Sequence, residues 1–236
     1  MKLYYDLHMH SCLSPCGSSD MTPANLAAMC ALAGLNVVAL TDHNTCGNCA
    51  AFCRAAAERG LLPLPGMELC TSEEVHVVCL FPTLKQANDF SAYVSARLSP
   101  GENDPAIFGE QLYMDEGDQI LGQEPALLAN ATQIPLAEVP ALSAEYGGFA
   151  WPAHIDRPSF SLLGVLGVWD PGLNFPLAEL SHHCPPDFTR RRDLAGLRFI
   201  TSSDAHYLDQ VYTPRHTMDL PEPTPEAVLH WLRWGE

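Results

Sequence analysis

Asp6, His8 and His10 are the first residues of the chain that could carry out chemistry, and they follow an apolar start at residues 3–5. In an extended strand the side chains alternate between two faces, so these three polar side chains share one face. Two imidazoles on one face of a strand end can hold a single metal ion. A lone His-x-His pair is more often an ordinary pair of surface histidines, so the interpretation depends on the rest of the chain.

Residues with the same ligand chemistry recur beside later apolar runs. They are Asp42 and His43, Glu68, His76, His154, and Asp204 with His206. In barrels and open α/β sheets, sites are built at the carboxyl ends of the strands. Each residue alone is more simply explained as a hydrogen-bonded core residue or an exposed polar one. Together, however, they predict a shared site. Imidazole and carboxylate together favour zinc, manganese or iron, and more than one divalent cation.

Alternating helices and strands would position the first half of this set. The sequence predicts, in order, a helix capped by Thr22 and ended by Gly34, a buried strand at 36–40, a helix at 48–59 and a strand at 61–68. This alternation is typical of parallel βαβ units. Pro63 and Pro65 indicate that the strand at 61–68 is an edge strand or has an irregular entry.

The alternation breaks after Glu68, because the next ligand-type residue, His76, follows too soon for a crossover helix. If the strand at 75–81 returns as a hairpin, His76 lies near Glu68.

The remaining elements are predicted more coarsely. They are a helix at 83–98, an irregular stretch at 99–120, helices at 124–131 and 134–146, strands at 149–154, 178–181 and 199–203, and a closing helix from Thr224 and Pro225. We expect a single domain over residues 1–236, with residues 84–148 as a helical and loop elaboration within it.

Composition excludes several classes of protein. The chain has 236 residues, of which 47% are apolar and 17% charged, so it can bury a large core. A formal net charge of −16 argues against nonspecific binding to nucleic acid or to anionic membranes, which requires Lys and Arg. Because Met1 leads directly into a strand and no apolar run could span a membrane, we expect a cytoplasmic protein.

The nine cysteines do not predict a disulfide framework, since their number is odd and no signal peptide is expected. Cys46 and Cys49 have redox or zinc spacing, but no second Cys-x-x-Cys pair completes a structural zinc site. Buried structural thiols are the favoured interpretation, with a redox or metal role as the alternative.

The motifs taken together resemble those of the PHP (polymerase and histidinol phosphatase) family. They are His8-Met9-His10-Ser11, Thr41-Asp42-His43, Glu68 with His76, His154, and Ser203-Asp204-Ala205-His206, in that order from residue 6 to about 206. The resemblance implies an α/β fold, a distorted (βα)7 TIM-like barrel with two or three divalent metal ions at its C-terminal mouth. It also implies hydrolysis of phosphate esters.

The same resemblance implies how the ligands are shared. His8, His10 and Asp204 would hold one metal, Glu68 would bridge it to a second held by His76 and His154, and His43 and His206 would hold a third. Relatives supply one more ligand for the third metal soon after the first motif. Here Asp20 or Cys16 could complete that site, or the site could be weak or empty. Asp42 is expected to orient an imidazole rather than to bind metal.

The implied mechanism is attack on phosphorus by a metal-bridged hydroxide. Arg157 would bind the phosphate at the rim or else pair with a carboxylate, and Asp204 or His206 would protonate the leaving group. Arg215 and His216 could also reach the mouth, whereas residues 190–192 form a basic run that is most simply a solvated surface. We expect a small phosphate monoester or short nucleotide as substrate. The resemblance also allows a nucleic-acid exonuclease, but the acidic charge argues against long polyanionic substrates. Oligomeric state stays open.

Two alternatives remain at this stage. The same cluster could hydrolyse an amide or a lactone, which the shortage of basic residues favours. The protein could also be a non-catalytic metal-binding regulatory module, which the presence of both Glu68 and Asp204 disfavours.

Overall fold

A computed structural model describes residues 1–211 and 216–235 of the chain. Its strands are β1 Lys2–Asp6, β2 Val37–Leu40, β3 Leu62–Cys70, β4 His76–Leu80, β5 Leu112–Met114, β6 Ile120–Gln123, β7 Phe149–Pro152, β8 Leu177–Glu179, β9 Arg198–Ile200 and β10 Thr217–Asp219. Its α-helices are α1 Pro23–Ala33, α2 Cys49–Ala57, α3 Leu84–Ser95, α4 Pro105–Phe108, α5 Val139–Glu145, α6 Leu162–Leu166 and α7 Pro225–Trp234. No helix in these described parts of the chain is long and apolar enough to cross a membrane.

The main sheet has six strands in the order β10-β1-β2-β3-β4-β7. Strands β1, β2 and β3 run parallel, which confirms the predicted βαβ units built with α1 and α2. Strand β4 returns antiparallel to β3 and pairs His76 with Cys70, which confirms the predicted hairpin. The carboxyl ends of β1, β2 and β3 and the start of β4 therefore meet at one edge of the sheet.

Strands β8 and β9 form a separate parallel pair that extends the curl of the sheet. Ile155, just after β7, donates its N–H to the Glu179 carbonyl at 2.9 Å. Beyond β9, Asp204 donates its N–H to the His8 carbonyl, also at 2.9 Å. The fold is thus mixed α/β with a curled sheet, as in TIM-like folds. A full (βα)7 barrel is not confirmed, since among the described residues one backbone hydrogen bond joins the end of β7 to β8, few join the segment after β9 to the segment after β1, and a hairpin replaces one crossover helix.

The two faces of the curled sheet bury separate cores. Alternation along β2 sends Val37 and Ala39 to the inner face and Val38 and Leu40 to the outer one. Helix α7 covers the inner core, whereas α1, α2, α3 and α5 pack on the outer core. All four residues of β2 are buried, which is why the strand lacks a polar alternation in the sequence.

Helix ends follow the predicted capping chemistry. The Thr22 hydroxyl accepts the Asn25 N–H, and Gly34 ends α1 with φ of 80°. Thr224 caps α7 in the same way. The carboxylate of Asp118, in the β5–β6 turn, adds to the first cap by accepting the Thr22 hydroxyl at 2.6 Å and the Ala24 N–H at 2.9 Å.

Three local predictions differ from the structure. No helix forms at 124–131, where Gln111 Nε2 donates to the carbonyls of Glu124 and Ala126, so the backbone bonds to a neighbouring segment instead. The stretch 99–120, predicted to be irregular, contains α4, β5 and the start of β6. Strand β3 is internal to the sheet, but its two prolines lie in the half that pairs only with β2.

Candidate metal centre

The ligand-type side chains converge at the edge of the sheet where the parallel strands end. His8 and His10 follow β1 and are fully buried, and His43 follows β2. Glu68 lies within β3 and is buried. His76, His154, Asp204 and His206 come from the start of β4, the end of β7 and the segment after β9. Strand geometry alone thus gathers residues from the whole length of the chain.

The Glu68 carboxylate is the centre of this cluster. Five imidazole nitrogens surround its two oxygens: His8 Nε2 at 3.3 Å, His76 Nδ1 at 3.0 Å and His154 Nε2 at 3.1 Å from Oε1, and His10 Nε2 at 3.4 Å and His43 Nδ1 at 3.1 Å from Oε2. A carboxylate between several imidazoles has the geometry expected of a ligand that bridges two cations.

Asp204 is the second carboxylate of the cluster. Its Oδ1 lies 3.3 Å from His8 Nε2 and 3.2 Å from His10 Nε2. Its Oδ2 lies 2.7 Å from Arg157 Nη1, so the arginine pairs with a cluster carboxylate, one of the two alternatives left open for it. The backbone of Asp204 has φ of 52° and that of His154 has φ of 30°, which are left-handed conformations that non-glycine residues rarely adopt. Such outliers are often found at functional sites.

Hydrogen bonds to the far side of each imidazole fix its orientation. Glu179 Oε1 accepts from His8 Nδ1 at 2.8 Å. His10 Nδ1 lies 2.9 Å from Ser14 Oγ, and Ser14 Oγ donates to Asp42 Oδ1 at 2.6 Å. Because the single hydroxyl proton of Ser14 goes to Asp42, its oxygen accepts the proton of His10 Nδ1. In its neutral form each ring therefore presents the lone pair of Nε2 to the cluster.

Asp42 is thus placed as predicted, where it orients His10 through Ser14. The sequence interpretation missed both Ser14 and Glu179. The signal available for Glu179 was an acidic residue within an apolar strand, β8, where the side chain is buried.

A third group of side chains, called the outer group below, consists of His10, His43 and His206. Ligand nitrogens of His10, His43 and His206 lie within 4.8 Å of one another. His206 Nδ1 donates to the Asp204 carbonyl at 2.9 Å, and its ring stacks on that of His10 with centroids 4.2 Å apart. Cys16 Sγ lies 3.2 Å from His43 Nε2.

Asp20 is not brought into the cluster. It is exposed, its N–H donates to Ser18 Oγ, and its carbonyl accepts from Asn25 Nδ2. The turn after Ser11 brings Cys16 back over the cluster and directs Asp20 outward, so of the two candidates for the third site only Cys16 is in place.

The other basic residues lie apart from the cluster. Arg190 pairs with Asp187 in an exposed position, and Arg191 pairs with Asp193 in a half-buried one. Among ion pairs of Lys and Arg in the described residues, only that of Arg157 reaches the cluster. Arg215 lies outside the described residues. His216 lies against Tyr5, with ring centroids 6.3 Å apart.

Charge is strongly coupled across the cluster. Burial raises the pKa of Glu68 and of Asp204, but the surrounding imidazoles outweigh burial and hold both pKa values well below the usual range. Burial opposes protonation of His8, yet Glu179, Asp204 and Glu68 together raise its pKa. His76 behaves differently, because burial lowers its pKa to about 4. Both carboxylates are therefore ionised at neutral pH, as metal ligands must be.

The residues present fit divalent cations. Asp204 Oδ1 and His154 Nδ1 are buried, and neither makes a hydrogen bond of normal geometry to the described residues. Buried polar atoms without partners are costly, and a cation between Asp204 and the imidazoles would satisfy the carboxylate. Two further groups beside the one above bring ligand atoms within 4.8 Å: His8, His10, Glu68 and Asp204, and His43, Glu68 and His76. Imidazole and carboxylate suit zinc, manganese or iron.

Comparisons with known proteins agree with this geometry. A family model described as the PHP domain matches residues 6–146. Among curated proteins none matches. Among solved structures, the lesion-specific endonuclease PfuEndoQ from Pyrococcus furiosus has a TM-score of 0.70 and 18% identity, with 99% of this chain and 56% of that chain covered. The chain therefore spans little more than half the length of that endonuclease.

Two solved structures of similar length also match. A Bifidobacterium adolescentis protein described as a metal-dependent phosphoesterase has a TM-score of 0.61 and 18% identity, covering 95% of each chain. An amidohydrolase from Chromobacterium violaceum has a TM-score of 0.59 and 21% identity, covering 98% of this chain and 96% of that chain. At these identities the likeness concerns the fold alone.

Proposed function

The chain belongs to the PHP domain family, and from that membership we propose that it is a metal-dependent hydrolase that cleaves a phosphate ester. The proposed substrate is a small phosphate monoester or a short nucleotide. The observation that carries the proposal is the Glu68 carboxylate within 3.4 Å of five imidazole nitrogens, with Asp204 and Arg157 beside it.

In this proposal His8, His10 and Asp204 hold one cation, and Glu68 links it to a second held by His76 and His154. Bound there, divalent cations would supply Lewis acidity and an activated water near neutral pH. The chain supplies the preorganisation: Glu179 and Ser14 each accept an Nδ1 proton, which leaves the lone pairs of His8 Nε2 and His10 Nε2 free to bind.

Arg157 is assigned to the phosphate. Its guanidinium is held against Asp204 by one nitrogen and the side chain is 39% exposed, which leaves N–H donors for a ligand. These donors can stabilise charge that develops on phosphate oxygens.

Asp204 is a poor candidate for the acid that protonates the leaving group. Burial raises its pKa, but His8 and His10 outweigh burial and keep it ionised. His206 donates Nδ1–H to the Asp204 carbonyl, so its Nε2 is the atom that could either protonate a leaving group or bind a cation, but not both at once.

A second candidate function is hydrolysis of an amide or a lactone. It is favoured by one observation, that Arg157 is the single cation whose ion pair reaches the cluster among the described residues of a chain with net charge −16. Phosphate recognition usually uses more than one cationic or N–H donor group, so the substrate panel must contain both classes.

The test is a substrate panel with the metal-loaded full chain. It contains small phosphate monoesters, short nucleotides, a lesion-containing DNA duplex, amides and lactones. We expect turnover of a phosphate ester that falls by about 100-fold or more in Glu68→Gln, because the bridging charge is lost. Glu226→Gln, an exposed change on α7, is the matched control and should retain full activity. Turnover of amides or lactones alone would replace the proposal by the second candidate, and full activity of Glu68→Gln would overturn both.

A further inference from the structure

Cys16 is placed against the outer group of imidazoles by its local backbone. Gly17 follows it in a turn so tight that a Cβ there would overlap the Ser11 carbonyl oxygen. The Gly17 N–H donates to the Ser14 carbonyl at 2.9 Å, and the Ser18 N–H donates to the His206 carbonyl at 2.9 Å. The turn is therefore attached to the same segment that carries His206, and the position of the thiol is built into the fold.

The imidazoles next to the thiol have defined donor atoms. His206 Nδ1 gives its proton to the Asp204 carbonyl, so the lone pair of His206 lies on Nε2. His43 Nδ1 lies 3.1 Å from Glu68 Oε2, which attracts a proton to Nδ1 and leaves the lone pair on Nε2. Cys16 Sγ lies 3.2 Å from that His43 Nε2.

His43 lies between the Glu68 carboxylate and the Cys16 thiol. Its Nδ1 is buried and lies against the Glu68 carboxylate. The ring is thus oriented by the Glu68 carboxylate on one side and directed at the thiol on the other. Cys16 thus contacts both His43 and His206, and its side chain is exposed to solvent.

We propose that Cys16 is a thiolate ligand that forms, with His43 Nε2 and His206 Nε2, a separate metal subsite selective for zinc and other soft divalent cations. This inference rests on the proposed function only in taking the cluster to bind metal. The thiol proton passes to solvent when the metal–sulfur bond forms. Three protein ligands leave one tetrahedral position open, and a thiolate favours zinc over manganese or magnesium.

The experiment uses Co²⁺ as a spectroscopic substitute for zinc in the full chain. A cobalt–thiolate bond absorbs strongly in the near ultraviolet, whereas cobalt bound by nitrogen and oxygen alone does not. We expect this band in the wild-type protein and its loss in Cys16→Ser, with zinc content lower by about one equivalent per chain. Cys16→His should restore the zinc equivalent without the band. Cys184→Ser is the matched control, because Cys184 is the other cysteine that is not buried, and it should keep both.

The outcomes separate this inference from the proposed function. A band that persists in Cys16→Ser, or no band in a wild-type protein that is fully loaded with cobalt, would overturn the thiolate subsite even if phosphate esters are hydrolysed. A band that depends on Cys16 in a protein inactive on every ester would uphold the subsite and refute the proposed reaction. Circular dichroism of the metal-free variants checks that each is folded, and a folded wild-type chain that binds no metal would overturn both.

Discussion

Among residues that are not candidate ligands, Ser14 has the side chain that most directly orients the cluster. It accepts from His10 Nδ1, donates to Asp42 Oδ1 and accepts the His43 N–H at 3.2 Å. Asp42 in turn accepts the Ser11 N–H and the Ser11 hydroxyl. This network sets the tautomer of His10 through a residue that has no ligand chemistry of its own.

Ser14→Ala should therefore weaken metal binding without unfolding the protein. His10 loses the acceptor for its Nδ1 proton, and loss of such a partner typically costs about 10–100-fold in metal affinity. Competition titration with a zinc chelator measures the change. Ser143→Ala is the matched control, since Ser143 is also fully buried but lies on α5. Equal affinities in the two variants would contradict the role of Ser14.

Cys16 should be the most acidic thiol that solvent reaches in the metal-free chain. Burial raises the pKa of this thiol, but the neighbouring His43 and His206 outweigh burial and bring the pKa to about 5. Burial raises the pKa of Cys184 to about 11. A thiol with a lowered pKa is a thiolate at every pH above that value, and the thiolate is the reactive form.

Alkylation by iodoacetamide after metal removal tests this assignment. The rate at Cys16 should be nearly constant from pH 8 down to about pH 6 and then fall about tenfold per unit below pH 5. The rate at Cys184 should already fall tenfold per unit across the neutral range. Mass spectrometry of the modified peptides gives both rates, and parallel pH profiles for the two residues would refute the prediction.

The sequence was sufficient to find most members of the cluster but not the residues that orient them. His8, His43, Glu68 and Asp204 were found because each follows or ends an apolar run. Glu179 was missed because its partner, His8, lies 171 residues away, and no local pattern records that contact. For the third site, spacing could not choose between Asp20 and Cys16, since the tight turn at Gly17 decides which side chain faces inward.

At the scale of elements, the hairpin of β3 and β4 brings Glu68 and His76 together, and its packing depends on Gly66. A Cβ on Gly66 would lie 2.5 Å from the Cys79 carbonyl oxygen on β4 and would overlap the Leu80 side chain. The backbone of β4 cannot move away without disturbing its pairing with β7 on the other side.

Gly66→Ala should lower the free energy of unfolding by about 1–3 kcal/mol through this overlap. Gly122→Ala is the matched control, because Gly122 also lies in a strand, β6, and a Cβ there meets nothing within 4 Å. Its effect should stay within about 0.5 kcal/mol. Urea unfolding of both variants measures the difference, and equal stabilities would show that the sheet absorbs the methyl group.

Element predictions succeeded where local signals agree with the fold and failed where distant partners decide. Thr22, Gly34 and Thr224 end their helices as capping chemistry predicts. The helix predicted at 124–131 does not form, because Gln111 and Gly101 take up the backbone hydrogen bonds of that segment. The hairpin β5–β6 was not recognised, since its strands are short and β6 is largely exposed.

At the scale of the whole molecule, the cluster joins parts of the chain that the sheet connects only weakly. The end of β1 meets the segment after β9 through few backbone hydrogen bonds, among them Asp204 N–H to the His8 carbonyl. The position of this weak closure could not be predicted from sequence, because the resemblance implied a distorted (βα)7 barrel and the strand registers that decide where it is distorted depend on the assembled core. His8 and Asp204, however, also face each other at 3.3 Å as ligand-type groups. A shared cation would therefore hold these two ends of the curled sheet together.

Metal removal should consequently lower the stability of the whole chain. A ligand that binds only the folded state stabilises it by about 2.7 kcal/mol at 100 times its dissociation constant. For a chain of 236 residues this corresponds to a fall in Tm of about 5–10 °C on chelation. Glu68→Gln should show a much smaller fall, because it has lost the charge at the centre of the cluster. Thermal unfolding with and without chelator measures both, with bound metal quantified in each sample. An unchanged Tm for a wild-type sample shown to have lost its metal would mean that the cation does not stabilise the closure of the sheet. The cluster would then contribute to catalysis and not to stability.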